Sequence, residues 1–183
     1  MDPEIYILHA TGASTAEFYR IPLPELAHNY LLRQFQENAR ERLLKILSET
    51  IISNLCLGIE TIEFPFDLTL ELAVDLDLSI CLDTGHVLDG FSEPIGKFDA
   101  LEQCLPNLGE VHLYDAPCQG PGCSIGYGKD YQTLGHGDLD VCRFLNRLEL
   151  SGFNEPVVLE VELKIALDPL DFIRSFRPGL PNS

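Results

Sequence analysis

Short apolar runs alternate along the chain with longer stretches whose apolar residues recur every three or four positions. The short runs are Ile5-Tyr6-Ile7-Leu8-His9, Leu55-Cys56-Leu57-Gly58-Ile59-Glu60, Leu78-Ser79-Ile80-Cys81-Leu82-Asp83, Glu110-Val111-His112-Leu113-Tyr114 and Val157-Val158-Leu159-Glu160-Val161. Each has the length of a strand covered on both faces. Residues 25–53 carry Leu31, Phe35, Ala39, Leu43 and Leu47 at steps of four, which predicts one long helix with an apolar stripe. A short helix is predicted from Asp67, which can cap it. Phe98, Leu101 and Leu105 predict another, stopped by Pro106. Val141, Phe144, Leu145 and Leu148 form a helical face that Gly152 ends. Asp168-Pro169 opens the last helix, a cap followed by a first-turn proline. Residues 116–137, with Gly120, Gly122, Gly126 and Gly128, read as a long loop expected to act as a mobile lid. Residues 1–177 read as one domain and 178–183 as a flexible tail.

Strands alternating with helices indicate a parallel sheet with helical crossovers. Such a sheet is either open and doubly wound or closed into a barrel. All five runs carry an ionisable residue at or near their C-terminal ends: His9, Glu60, Asp83, His112 and Glu160. Chemistry spread over the ends of many strands is the habit of a (β/α)8 barrel, whereas an open sheet gathers it at one switch point. A complete barrel takes about 250 residues, or roughly 31 per unit. This chain has 183. The expected fold is therefore α/β, either a TIM barrel reduced to about five βα units or an open five-stranded sheet.

Glu60, Asp83, His112 and Glu160 are the main candidates for chemistry. Three carboxylates and an imidazole at one barrel mouth suit a divalent cation, and the mixed oxygen and nitrogen set admits Mn, Zn, Co or Mg. His86 lies three residues past Asp83 and can face the same cavity. Asp115 has the same spacing from His112. Glu63 and Glu162 are reserves.

Charge narrows the partners. Acidic residues outnumber basic ones 29 to 12, a formal net charge of −17. That surplus opposes nucleic acid and anionic membranes, and it does not oppose a metal. No apolar run approaches the ~18 residues of a membrane span. Met1-Asp2-Pro3-Glu4 has no basic n-region. The six cysteines are spread without a disulfide pattern, so free thiols and a cytoplasmic location are expected.

In order and spacing, several motifs resemble successive landmarks of the xylose-isomerase-like TIM barrels, which include sugar isomerases and epimerases and the AP-endonuclease group. They are Ile59-Glu60, Cys81-Leu82-Asp83-Thr84-Gly85-His86, Val111-His112-Leu113-Tyr114-Asp115, the segment 134–140 and the segment 152–160. The resemblance runs from the fourth family strand at His9 to the eighth at Glu160. It implies that Glu60, Asp83, His112 and Glu160 are the ligands of the central metal. It also implies that His9 belongs to a neighbouring metal whose partner histidine lies on an earlier strand, so one ion is expected and a second is weakened. His86 matches a third-metal ligand in the endonucleases, but Lys129-Asp130-Tyr131 stands where an Asp-x-His would complete that site.

The segments 9–13, 62–66 and 126–132 resemble cobamide-remodelling phosphodiesterases. The leading expectation is hydrolysis of a phosphodiester, with a corrinoid as substrate. The alternative is a sugar or sugar-phosphate isomerase or epimerase with Glu60 and Glu160 as acid and base. A third is a truncated, inactive fragment that binds metal or a partner. Glu60, Glu160 and His86 are the catalytic candidates, and His86, Asp115, Tyr131 and His136 the substrate-binding ones. The unpaired strand edges are expected to favour a homodimer.

Overall fold

The computed structural model describes residues 5–11, 15, 18, 21–62, 64–89, 96–117, 131–161 and 167–177. Five strands carry the fold: β1 (Tyr6–Leu8), β2 (Leu57–Glu60), β3 (Ser79–Asp83), β4 (Leu108–Leu113) and β5 (Val157–Leu159). They form one sheet in the order β1-β2-β3-β4-β5, with every neighbouring pair parallel. Sequential parallel order has no switch point, so the open doubly wound alternative is excluded. Right-handed crossovers in such an order put all the helices on one face, as on the outside of a barrel.

The helices between these strands are α1 (Glu25–Glu49), α2 (Phe66–Leu76), α3 (Thr84–Asp89), α4 (Lys97–Cys104) and α5 (Val141–Ser151), and α6 (Leu167–Phe176) follows β5. Their apolar faces meet Leu57, Ile59, Ile80, Leu82, Val111 and Leu113 in one continuous core. In α1 the buried positions are Leu32, Gln36, Ala39 and Leu43. The expected step of four drifts about 40° per turn around a 3.6-residue helix, so the true face includes Leu32 instead of Leu31. Helix α2 begins one residue before Asp67, whose carboxylate accepts from the Leu68 N–H and does not cap the helix. Pro106 stops α4 as expected, through a single 3-10 turn at Leu105–Asn107. Gly152 closes α5 at φ 77°. Helix α3 has no counterpart in the apolar pattern. Among the described residues no helix is long and apolar enough to cross a membrane. Most of the expected lid (residues 118–130) and the expected tail lie outside the described residues.

Alternation sends the remaining strand residues to the inner face. There the sheet curls tightly. A side chain at Gly58 or Gly109 would collide with Ile5 Cδ1, at 2.9 and 2.8 Å from the added carbon, so the residue preceding β1 reaches across to β4.

Strands β3 and β4 are out of step by one residue. Ile80 pairs with Leu108, but Cys81 pairs with Glu110. The extra residue is Gly109. A side-chain carbon there would lie 2.7 Å from Ser79 Cβ. This bulge lets Leu108 join the outer core and still turns Glu110 and His112 inward. It also sets His112 directly beside Asp83.

Candidate metal centre

Glu60 ends β2, Asp83 ends β3, His112 lies one residue from the end of β4, and Glu160 follows β5. Each offers one atom to a group whose members all lie within 4.8 Å of one another. His112 Nδ1 is 3.4 Å from Glu160 Oε2, 3.6 Å from Glu60 Oε1 and 3.8 Å from Asp83 Oδ2. Donors bound tetrahedrally at 2.0–2.1 Å stand roughly 3.4 Å apart, so this spacing fits around an ion.

Hydrogen bonding makes the same point. Asp83 Oδ2, His112 Nδ1 and Glu160 Oε2 are buried and make no hydrogen bond. Buried polar atoms are nearly always paired, because leaving one unpaired costs about 1–3 kcal/mol. Three orphans facing one another are what a cation would satisfy. Asp83 is fully buried, and its other oxygen, Oδ1, accepts from the His86 backbone N–H at 2.7 Å.

The charges are set by this crowding. Burial pushes the Asp83 carboxyl well above its ordinary value, and the neighbouring Glu60 and Glu160 add to the rise. Burial would also raise Glu60, but contacts from His112 and His9 outweigh it and hold Glu60 well below the carboxylate range. The His112 contact lowers Glu160. Burial works against a charged His112, yet its contacts with Cys81, Glu160 and Glu60 raise it well above the ordinary imidazole value. Burial pushes the Cys81 thiol up to about 12.

The other expected residues divide into two groups. His9, 47% exposed, lies beside the cluster with Nε2 3.1 Å from Glu60 Oε2. His86 is buried, with Nε2 3.7 Å from both Glu60 Oε1 and Asp83 Oδ2. Its Nδ1 is 3.2 Å from the Tyr114 hydroxyl. Tyr131 stacks on Tyr114 with ring centroids 4.5 Å apart and meets His86 edge-on. These rings wall one side of the centre.

Asp115, a substrate-binding candidate in the sequence, is not one of the four converging groups. It is fully buried, and its carboxylate accepts backbone N–H bonds from Ala116, Gly135 and Leu139. Its backbone pairs with Gln132 in both directions. Asp115 therefore pins the loop that carries Tyr131. His136 is exposed on that loop and is not one of the four converging groups. Glu63 and Glu162 lie outside the described residues.

Two participants do not stand out in the sequence. Tyr114 reads there only as the end of a strand, although its ring packs against both His86 and Tyr131. Glu110 reads as a strand start, yet its Oε1 lies 3.0 Å from His112 Nε2. Cys56, Cys81, Cys104 and Cys142 are free, as expected.

No family model matches this chain, and no curated protein matches it. Among solved structures it is similar to endonuclease IV from Thermus thermophilus, with a TM-score of 0.57 and 21% identity. The match covers 79% of this chain and 58% of that one. The chain thus spans less than two thirds of the structure it resembles, and the likeness is one of fold. The fold is that of five consecutive parallel βα units, as in part of a TIM barrel.

Proposed function

We propose that this chain carries the centre of a divalent-metal-dependent hydrolase acting on phosphodiesters, with Glu60, Asp83, His112 and Glu160 holding one ion. The observation that carries the reading is the set of three buried, unpaired donor atoms converging at the C-terminal end of the sheet. When bound, the ion supplies Lewis acidity toward a phosphoryl oxygen and lowers the pKa of water toward neutrality. Asp83 and His112 are the fixed donors, since the sheet register holds them side by side. Glu160 is the most exposed of the four, its side chain 37% accessible. With Oε2 turned to His112, its Oε1 is available to orient a water and accept its proton. His9 orients Glu60 from the open side. No three-donor group among the described residues includes His9, which favours one ion over two.

Two finer readings share this site. A corrinoid nucleotide loop as substrate rests on the resemblance of segments 9–13, 62–66 and 126–132, of which residues 12–13, 63 and 126–130 lie outside the described residues. The sugar isomerase or epimerase reading is favoured by the single-ion site with Glu60 and Glu160 both on it, placed to pass a proton as base and acid with His86 on a substrate oxygen. Nucleic acid is the substrate class that the name of the structural relative suggests, and the net charge of −17 opposes it.

A substrate panel separates these readings. Protein loaded with Mn, Zn, Co or Mg is offered bis(p-nitrophenyl) phosphate, a cobamide, duplex DNA, and ketoses in deuterated water. The proposal expects phosphodiester cleavage that falls about 100-fold or more in Asp83→Asn. Deuterium exchange without cleavage would establish the isomerase reading instead. Metal binding with no turnover would leave a non-catalytic domain.

A further inference from the structure

His112 meets different surroundings at its two ring nitrogens. Around Nδ1 stand three carboxylate oxygens at 3.4–3.8 Å, none of them hydrogen bonded to it. At Nε2 stands one carboxylate oxygen, Glu110 Oε1, at 3.0 Å. The first spacing leaves room for an ion, and the second is the length of an N–H···O bond. A neutral imidazole has one N–H and one bare nitrogen, so the two environments call for opposite states of the two atoms.

Resting on the metal-centre reading above, we infer that Glu110 is the positioning residue for His112. It accepts the Nε2 proton, fixes the ring plane and leaves the Nδ1 lone pair aimed at the ion. Glu110 is buried, more so than His112 or Glu160, on the inner face two residues before His112. A carboxylate is costly there unless a donor meets it. The Gly109 bulge puts it there, because the same one-residue shift turns both Glu110 and His112 inward. A carboxylate on the far nitrogen of a ligating imidazole raises the basicity of the ligating one, and loss of such a partner costs about 10–100-fold in metal affinity.

Cys81, the third member of a possible second donor group with Glu110 and His112, does not change this assignment. An ion bound there would need Nε2 as its donor, and Nε2 stands at hydrogen-bond distance, 3.0 Å, from Glu110 Oε1.

The test uses the full chain and Zn(II) alone, titrated by calorimetry into the parent, Glu110→Leu and Glu110→Gln. The Leu variant keeps the volume and removes the acceptor, so its affinity should fall about 10–100-fold. Its metal-free melting temperature should hold or rise, because a buried carboxylate has been removed. The Gln variant keeps an acceptor oxygen for Nε2 and should stay near the parent. A purely structural role would instead lower melting temperature and affinity together. Nitrogen-15 spectra of the zinc-loaded parent read the ring without any substitution: Nε2 should be protonated and Nδ1 coordinated. Parent-like affinity in Glu110→Leu, affinity losses that track lost stability, or a coordinated Nε2 would each overturn the inference and leave the metal centre standing. Failure of the parent to bind Zn(II) would overturn both.

Discussion

Leu57, Ile59, Ile80, Leu82, Val111 and Leu113 alternate along three strands with Gly58, Glu60, Cys81, Asp83, Glu110 and His112. The first set lies under the helices and forms the core, and each fully buried aliphatic side chain there contributes about 1.5–3 kcal/mol. The second set, one residue away along the same strands, buries carboxylates whose desolvation costs several kcal/mol each, by order of magnitude. Both faces are shielded from water and only one of them stabilises the fold. The outer face offsets the cost of the inner one, whose unpaired donor atoms are what a cation would satisfy.

Truncation on each face gives the largest expected contrast. Leu82→Ala should lose about 2–5 kcal/mol in denaturant unfolding, because Leu82 is buried in the core. Asp83→Asn, next along the strand, should abolish tight metal binding while the metal-free protein stays as stable as the parent. Equal destabilisation by both changes would erase the distinction between the faces.

A smaller effect is expected at Gly85. A side-chain carbon there would lie 1.8 Å from the Tyr114 ring, which cannot move without disturbing His86 and Tyr131. Gly85→Ala should cost about 1–3 kcal/mol and shift the Tyr114 and Tyr131 ring resonances. An unchanged melting temperature would show that the aromatic wall is loosely packed.

Within the inner face the cluster groups respond to pH in opposite senses. Asp83 and His112 are both raised in the folded, metal-free state, so the stability they contribute is present at low pH and is lost as pH rises through their folded values. Glu60 and Glu160 are lowered, and their contribution is lost only as pH falls below the ordinary carboxylate range. An ion must displace the protons on Asp83 and His112. Metal affinity should therefore rise with pH, by about tenfold per unit for each proton released. Calorimetry in buffers of different ionisation enthalpy counts those protons. Affinity that is flat from pH 6 to 8 would mean that the cluster is already deprotonated.

The smallest effect concerns the sheet edges. Among the described residues β1 and β5 each pair on one side only, and Tyr6, Val157 and Val158 are exposed there. Such edges favour weak self-association. Light scattering across a dilution series should show a dimer that dissociates, and a strictly monomeric chain at every concentration would show that the edges are covered.

Much of the outer face is legible in the sequence, since alternation of apolar runs with helical stretches depends on composition within short windows. The four candidate ligand positions are legible too, because an ionisable residue that closes an apolar run, repeated on strand after strand, marks one end of the sheet. The register is not. Nothing in Leu108-Gly109-Glu110 announces a bulge, yet the bulge decides whether His112 or Val111 stands beside Asp83. Glu110 is hidden for the same reason: in an unshifted strand it would face the helices. The spacing of Asp115 from His112 misleads because it copies that of His86 from Asp83. The Asp115 carboxylate is occupied instead by loop N–H groups that only tertiary structure brings together.

The central claim is that the inner face is organised around one cation. Elemental analysis after purification without chelator and exhaustive dialysis tests it most directly, with His112→Ala processed in parallel. The account predicts about one equivalent of a divalent metal in the parent and almost none in the variant, with both proteins folded. A folded parent that holds no metal, or a variant that holds as much as the parent, would contradict it.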